Sequence, residues 1–181
     1  SGRKLNLDKV PPSNFVFLID VSGSMDLPNR LPLLKEAFQL LVKNLRQKDT
    51  VSIVVYGGSV GVWLPPTSGD QKQKITKAIE ELNASGDTPG EAAIRLAYKV
   101  AENTFIKGGN NRIILATDGD FNIGQTTEKE LEELITKERQ TGVYLTCLGV
   151  GMGNYKDSKI EILAKKGNGN FAYLDDIREA E

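Results

Sequence analysis

Apolar runs and helix-like repeats alternate from one end of the chain to the other. The apolar runs have the length and composition of buried strands: Phe15 to Ile19, Val51 to Tyr56, Val60 to Leu64, Arg112 to Thr117, Val143 to Val150 and Phe171 to Leu174. Between them, apolar residues recur at every third or fourth position, as on one face of an amphipathic helix. This alternation predicts an α/β fold, with a mainly parallel sheet covered by helices on both faces.

The third predicted strand departs from this alternation. Only Gly57-Gly58-Ser59 connects it to the second strand, which is too short for a crossover between parallel strands. We therefore expect the two strands to pair antiparallel, with the third strand at an edge of the sheet. Pro65-Pro66 is expected to end it, because proline cannot donate a hydrogen bond to the ladder.

Length and charge narrow the class of protein. The chain has 181 residues, with 39% hydrophobic and 26% charged residues, which suits one globular domain with a full core. The net charge of −1 and the lack of a long basic patch argue against nucleic acid as a partner. No apolar stretch approaches the ~20 residues of a membrane span, so we expect no membrane contact by this domain itself.

The ends of the chain give a further expectation. Ser1-Gly2 is typical of a cloning scar, and we expect residues 1–12 to be a tag or linker. Residues 13–181 are then expected to form the domain, with a last helix that starts near Asp175 and is truncated. As an isolated domain it is expected to be monomeric.

The lack of histidine excludes several kinds of chemistry. Ser-His-Asp and Cys-His nucleophiles and the common Zn²⁺ sites all need an imidazole, and the chain has none. The single cysteine, Cys147, lies in an apolar run, where a buried thiol is the usual case.

Oxygen-bearing side chains follow two of the predicted strands. Asp20, Ser22 and Ser24 come after the first strand in the pattern Asp-x-Ser-x-Ser, and Asp118 comes after the fourth. Three oxygens at every second residue can converge on one point if the loop curves. Carboxylates and hydroxyls without imidazole or thiol favour a hard divalent cation such as Mg²⁺.

Adjacent strands would bring these groups together. In open parallel sheets, ligands bind beyond the carboxyl ends of the strands, where the strand order reverses. If the first and fourth strands are neighbours, Asp20 and Asp118 face each other there. Thr88 is a fifth candidate ligand, although Thr88-Pro89-Gly90-Glu91 is also a good helix N-terminus in which Thr88 would act as the cap.

These residues resemble a known family. Asn14-Phe-Val-Phe-Leu-Ile-Asp-Val-Ser-Gly-Ser-Met, a lone threonine and Thr117-Asp-Gly are similar to the von Willebrand factor type A (vWA) domain and to its metal-ion-dependent adhesion site. The resemblance runs from about residue 14 to residue 176. It implies a Rossmann-like three-layer α/β/α sandwich with a six-stranded sheet of order 3-2-1-4-5-6.

The resemblance also implies a site and a role. The metal ligands would be Asp20, Ser22, Ser24, Thr88 and Asp118, and the ion would be Mg²⁺, or else Mn²⁺ or Ca²⁺. The module would not be an enzyme; it would bind a protein partner that offers an Asp or Glu carboxylate to the ion. The segments from Asn14 to Met25 and from Asn111 to Asn122 are similar to those of bacterial members, many of them extracytoplasmic lipoproteins. This resemblance implies a periplasmic or cell-surface location in a membrane-anchored parent.

Four further residues lie close to the candidate ligands along the chain. Asp26, Asp87 and Asp120 could orient water around the ion, add negative charge or repel an acidic partner, and the default is that they are solvated. Phe121 could contact a partner or pack back onto the domain.

Two other functions remain open. In the first, the metal only staples the loops of a structural or assembly module and needs no partner carboxylate. In the second, Asp118 and Asp120 act as nucleophile and general acid of a Mg²⁺-dependent phosphotransferase of the haloacid dehalogenase type. The second leaves Asp20-Val-Ser-Gly-Ser unexplained.

Overall fold

The computed structural model describes residues 9–119, 128–152 and 158–175. The strands within these ranges are β1 (Ser13–Asp20), β2 (Thr50–Tyr56), β3 (Gly61–Ser68), β4 (Asn110–Thr117), β5 (Val143–Val150) and β6 (Phe171–Leu174). The α-helices are α1 (Leu31–Lys43), α2 (Lys72–Glu80), α3 (Glu91–Asn103), α4 (Glu128–Arg139) and α5 (Ser158–Lys166).

The strands form one sheet in the order β3-β2-β1-β4-β5-β6. All neighbours pair parallel except β2 and β3, which pair antiparallel. The expected fold class, strand order and antiparallel edge strand are therefore confirmed. The order reverses between β1 and β4, so the crevice of a doubly wound sheet opens between these two strands.

The prediction that Pro65-Pro66 ends β3 was wrong. The strand continues to Ser68, and its pairing with β2 shifts register between Val51 and Ile53. Both prolines are exposed on an edge strand. The ladder tolerates them there because an edge strand can point its missing donors toward solvent, and because the register shift absorbs the interruption.

Alternate residues of the central strands face two separate cores. Val16 and Leu18 of β1 pack with α3, α4 and α5, whereas Phe17 and Ile19 pack with α1 and α2. Phe17 stacks on Phe38 of α1 with ring centroids 4.2 Å apart. Because each fully buried large apolar side chain contributes about 1.5–3 kcal/mol, this alternation holds helices on both faces of β1.

Buried polar groups fix the register at the amino ends of β1 and β4. Asn14 pairs with Asn111 in the ladder, and its side-chain amide donates to Oδ1 of Asn111 across 3.2 Å. Asn111 also exchanges two 2.9 Å hydrogen bonds with the backbone of Ile106 in the preceding loop. With this end fixed, the ladder brings the opposite ends of β1 and β4 level with each other.

Candidate metal centre

The carboxyl ends of β1 and β4 bring the two predicted aspartates together. The ladder pairs Ile19 with Ala116, so Asp20 and Asp118 end up at the same edge of the sheet. Asp20 is the last residue of β1, and Asp118 directly follows β4. After Asp20 the chain turns into a short 3-10 helix, Gly23–Asp26, which places Ser22 and Ser24 above the strand ends.

Backbone hydrogen bonds join three loops around this edge. Val21 N donates to Tyr56 O across 2.8 Å, Ser85 N donates to Val21 O across 2.6 Å, and Gly23 N donates to Gly86 O across 3.0 Å. These bonds tie the loop that carries Ser22 and Ser24 to the loop that carries Thr88. Backbone hydrogen bonds between the loops therefore hold the candidate ligands in position, in addition to the hydrogen bonds of their side chains.

Gly57 is required where two of these loops touch. Its φ of +125° lies in the region that only glycine adopts easily. A Cβ atom there would lie 2.4 Å from the backbone nitrogen of Ser22, and Gly57 O accepts a 2.6 Å hydrogen bond from Thr88 N. The position thus allows the close approach that brings Ser22 and Thr88 to one cavity.

The expectation that Thr88 could cap a helix was wrong. Helix α3 begins at Glu91, its capping residue is Gly90, and no side chain caps it. Because Thr88 lies two residues before the capping position, its hydroxyl does not serve the helix. It lies instead in the wall of the cavity beside Asp20, Ser22 and Ser24.

The cavity lies at the carboxyl edge of the sheet and has a volume of about 230 Å³. Four of the five predicted ligands line it, and the fifth, Asp118, is bonded to one of them. Its lining residues are Asp20, Ser22, Gly23, Ser24, Tyr56, Gly86, Asp87 and Thr88. The structure thus brings the predicted ligand set into one place, although these residues lie in three separate parts of the chain.

Two distances test whether these oxygens could hold a small cation. Ser22 Oγ and Ser24 Oγ are 3.2 Å apart, and Ser24 Oγ is 2.6 Å from Asp118 Oδ2. Neighbouring oxygens of an octahedral Mg²⁺ site with ~2.1 Å bonds lie about 3.0 Å apart. The spacings of Ser22, Ser24 and Asp118 are therefore compatible with a small cation, which would replace the hydrogen bonds that join these oxygens.

Asp20 is buried beneath these hydroxyls. Its Oδ1 accepts a 2.8 Å hydrogen bond from Ser22 N, and its Oδ2 accepts a 3.3 Å bond from Thr117 Oγ1. Burial raises the pKa of Asp20, the bonds from Ser22 oppose that rise, and the charge of nearby Asp118 adds to it. A carboxylate that is both desolvated and repelled by another is stabilised by a bound cation.

Arg30 is the residue at this edge that the sequence reasoning missed. Its Nη1 donates to Asp118 Oδ2 across 3.0 Å and to the backbone oxygen of Ser24 across 2.8 Å. The side chains of Arg30 and Asp118 are 23% and 2% exposed. An arginine ten residues after Asp20 has no signal in the motif itself, and the tertiary fold alone brings it to Asp118.

The extra acids predicted around the site are only partly described. Asp26 ends the 3-10 helix and is exposed, while Asp87 is exposed and lines the cavity. Asp120 and Phe121 lie outside the described residues. Within the described ranges, no three His, Cys, Asp or Glu side chains cluster as a metal site. A site here would therefore need the hydroxyls, which suit a hard cation.

Comparison with known proteins decides the family. A profile of the von Willebrand factor type A domain matches residues 15–121. The chain belongs to the vWA domain family. This family typically mediates metal-dependent protein interactions, and its members are generally not enzymes.

The vWA domain has a relative of similar sequence in Escherichia coli. Protein YfbK of strain K12, described as uncharacterized, is 48% identical over 174 residues, which cover 96% of this chain and 30% of YfbK. The chain therefore spans less than a third of the length of this relative.

Solved structures share the vWA fold. BatB of Bacteroides thetaiotaomicron superposes with a TM-score of 0.75 at 20% identity, covering 93% of both chains. Manganese-loaded TRAP of Plasmodium vivax superposes with a TM-score of 0.73 at 22% identity, covering 94% of this chain and 70% of TRAP. At these identities the likeness shows the fold alone.

Proposed function

We propose that this vWA domain binds a protein partner through a divalent cation held by Asp20, Ser22, Ser24, Thr88 and Asp118. The observation that carries the proposal is the convergence of these oxygens at one cavity, with spacings that fit a small octahedral ion. The ion would be Mg²⁺, with Mn²⁺ or Ca²⁺ as substitutes. It would supply a Lewis-acidic position for an Asp or Glu carboxylate of the partner.

The chain's own residues have separable roles in this proposal. The hydroxyls of Ser22, Ser24 and Thr88 offer neutral oxygens at the cavity, and Asp118 offers a carboxylate already bonded to Ser24. Asp20 lines the cavity and would hold the ion directly or through water, while hydrogen bonds from Ser22 N and Thr117 Oγ1 fix its carboxylate. Neutral hydroxyls add no charge, which leaves the ion attractive to an outside anion.

The surface beside the cavity offers contact area for a partner. Leu27, directly after the 3-10 helix, is 51% exposed. Next to an ion-bound carboxylate it would favour a partner with an apolar residue beside its Asp or Glu.

Calorimetric titration of chelator-treated protein with Mg²⁺ and Mn²⁺ tests the first step. We expect one ion per chain in the wild type and no binding in Ser22→Ala. A matched control is Ser59→Ala, since Ser59 is an exposed loop serine outside the cavity lining. Wild-type protein that takes up no ion would remove the metal from the proposal.

Acetate tests the second step and separates adhesion from a loop staple. If a carboxylate completes the site, acetate near its dissociation constant tightens the apparent Mg²⁺ affinity, because the two ligands are linked. If acetate and acidic peptides do not change the Mg²⁺ affinity, the result would favour the structural module in which the metal only holds the loops together.

The phosphotransferase alternative has its own test. Asp120, its general acid, lies outside the described residues, and Asp118 follows β4, whereas that motif normally follows the first strand. We expect no turnover of a generic phosphate ester with Mg²⁺. Turnover that is abolished in Asp118→Asn would revive the enzyme.

The location is also part of the proposal. None of the helices in the described ranges is long and apolar enough to cross a membrane. We propose that the parent protein carries this domain outside the cytoplasm, as its similarity to bacterial vWA proteins implies. Protease accessibility of the full-length protein in intact cells would test this.

A further inference from the structure

Arg30 brings a third charged side chain to the two aspartates. One nitrogen, Nη1, bridges Asp118 Oδ2 at 3.0 Å and the backbone oxygen of Ser24 at 2.8 Å. It therefore touches both loops that meet at the cavity, the one after β1 and the one after β4. Asp118 Oδ2 accepts from Ser24 Oγ as well, so the guanidinium and a candidate ligand share one carboxylate oxygen.

The guanidinium is held in place by its surroundings. Arg30 directly precedes α1, and its N–H donates to Leu27 O across 2.9 Å. Its side chain lies so close to Gly151 that a Cβ there would come within 2.5 Å of Arg30 Cγ. Arg30 Nε is buried and, among the described residues, donates no hydrogen bond. These contacts give the Arg30 guanidinium a defined position beside Asp118.

A fixed cation at this place changes the charge of the site. Among the described residues, the two buried carboxylates at the site, Asp20 and Asp118, cancel the charge of a divalent ion, and Arg30 then adds one positive charge. Asp26 and Asp87 are exposed, so water screens them more strongly than the buried Asp118. An anionic group from outside would cancel the excess, whereas a neutral oxygen ligand would leave it.

We propose that Arg30 sets the ligand preference of the metal site. Its positive charge lowers the affinity of the site for the cation. The same charge makes the ion-bound site prefer a carboxylate to a neutral ligand. This inference rests on the function proposed above. It assigns Arg30 as a specificity-determining residue and not as a metal ligand.

The opposite signs of the two effects separate this role from a structural one. If Arg30 only held Asp118 and the loop in position, its loss would weaken binding of both the cation and the carboxylate. If its charge sets the preference, its loss tightens cation binding and weakens carboxylate binding. With water-like screening, a unit charge a few ångströms away is expected to change the affinity for a divalent ion by about tenfold and the affinity for a monovalent carboxylate by about threefold, since the second interaction has half the energy.

The experiment compares neutral and charged replacements at one position. Arg30→Gln and Arg30→Met remove the charge, and Met retains an unbranched stem against Gly151, while Arg30→Lys keeps the charge. Arg95→Gln is the matched control, because Arg95 is a half-exposed helix arginine paired with Glu91 away from the cavity. Calorimetry gives the Mg²⁺ affinity, and amide NMR shifts of the Mg²⁺-saturated protein give the affinities for acetate and for its neutral analogue acetamide.

We expect Arg30→Gln and Arg30→Met to bind Mg²⁺ about tenfold more tightly and acetate about threefold more weakly, with acetamide unchanged. Arg30→Lys and Arg95→Gln should match the wild type. Weaker binding of both Mg²⁺ and acetate in the neutral variants, or no change in either, would overturn the role of Arg30 while leaving the proposed function intact. A wild type that binds no Mg²⁺ would overturn both. Thermal melts of each variant confirm that the comparison is between folded proteins.

Discussion

The hydroxyl of Ser24 donates a 2.6 Å hydrogen bond to Asp118 Oδ2, although 94 residues separate them along the chain. The bond joins the loop after β1 to the end of β4 across the crevice of the sheet. It makes Ser24 both a candidate ligand and the residue that holds another candidate ligand in position.

Ser24→Ala is therefore expected to weaken Mg²⁺ binding by tenfold or more, on the order of 1.4 kcal/mol, since it removes one oxygen and releases Asp118. Although Ser24 is exposed, its loss removes a hydrogen bond to a carboxylate, so the free energy of unfolding should fall by about 1 kcal/mol. Calorimetry and urea unfolding measure the two effects separately. A variant that loses stability but keeps its Mg²⁺ affinity would show that Ser24 is a structural residue.

Gly57→Ala is expected to damage both the fold and the site. The new Cβ would lie 2.4 Å from Ser22 N at a φ of +125°, and the three nearest atoms, in Val21 and Ser22, all belong to the backbone. We expect a loss of about 2 kcal/mol or more in the free energy of unfolding, together with weaker Mg²⁺ binding.

Gly61→Ala is the control for that change, because Gly61 lies on the neighbouring strand and a Cβ there meets nothing within 4 Å. Its free energy of unfolding should lie within about 0.5 kcal/mol of the wild-type value. Equal urea midpoints for the two variants would show that the loops around Gly57 can move apart without cost.

Gly151→Ala tests how tightly Arg30 is held. A Cβ at residue 151 would press on Arg30 Cγ at 2.5 Å, and the φ of +64° disfavours alanine as well. Gly108 has a φ of +77° but no atom within 4 Å of such a Cβ, so Gly108→Ala reports the backbone cost alone. We expect a loss of about 1 kcal/mol in Gly108→Ala and a larger loss in Gly151→Ala.

The same pair of variants should differ in Mg²⁺ affinity. If Arg30 moves away from Asp118, Gly151→Ala alone should bind the ion more tightly than the wild type. Identical Mg²⁺ isotherms for both glycine variants would contradict that coupling.

Glu138 is expected to make the stability of the domain depend on pH. Burial, together with a hydrogen bond and charge repulsion from Glu102, raises the pKa of Glu138 from its ordinary value of 4.5 to about 7. The folded protein therefore binds more protons than the unfolded chain between these values. This contribution to stability is complete below pH 4.5 and is lost as the pH rises through 7.

Glu138→Gln should remove this dependence, since the amide stays neutral. We expect the variant to be more stable than the wild type near pH 8, with a flatter curve of unfolding free energy between about pH 5 and 8. Glu133→Gln, an exposed position on the same helix, is the control. If the unfolding free energies of the wild type and Glu138→Gln change with pH in parallel, the pH dependence arises from a group other than Glu138.

The sheet could be predicted because its signals are local and repeated. The run from Phe15 to Ile19 and the five later apolar runs each predict a strand. The link Gly57-Gly58-Ser59 is too short for a crossover, so it predicts that the second and third strands pair antiparallel. Where propensity and topology disagreed, topology prevailed: Pro65-Pro66 did not end β3, because an edge strand tolerates residues that a central strand would not. The convergence of Asp20 and Asp118 followed from strand order, once the resemblance supplied it.

The rest of the site depends on contacts that no local pattern encodes. Thr88 had two interpretations in the sequence, and only the start of α3 at Glu91 separated them. Arg30 lies at the start of a helix, where an arginine is ordinary, and nothing along the chain links it to Asp118 or to Gly151. Such pairings are set by how loops from distant parts of the chain pack, so the fold must be known first.

The two prolines of β3 affect how copies of this chain can associate at the edge of the sheet. Successive residues of a strand point their backbone nitrogens to opposite sides of the strand, so one of the two adjacent prolines leaves the open edge without a donor and interrupts a regular ladder with a second chain. Two copies that meet at this edge would then contact each other through side chains and loops and would not form one continuous sheet. The open edge of β3 is thereby protected against edge-to-edge pairing between copies of the chain.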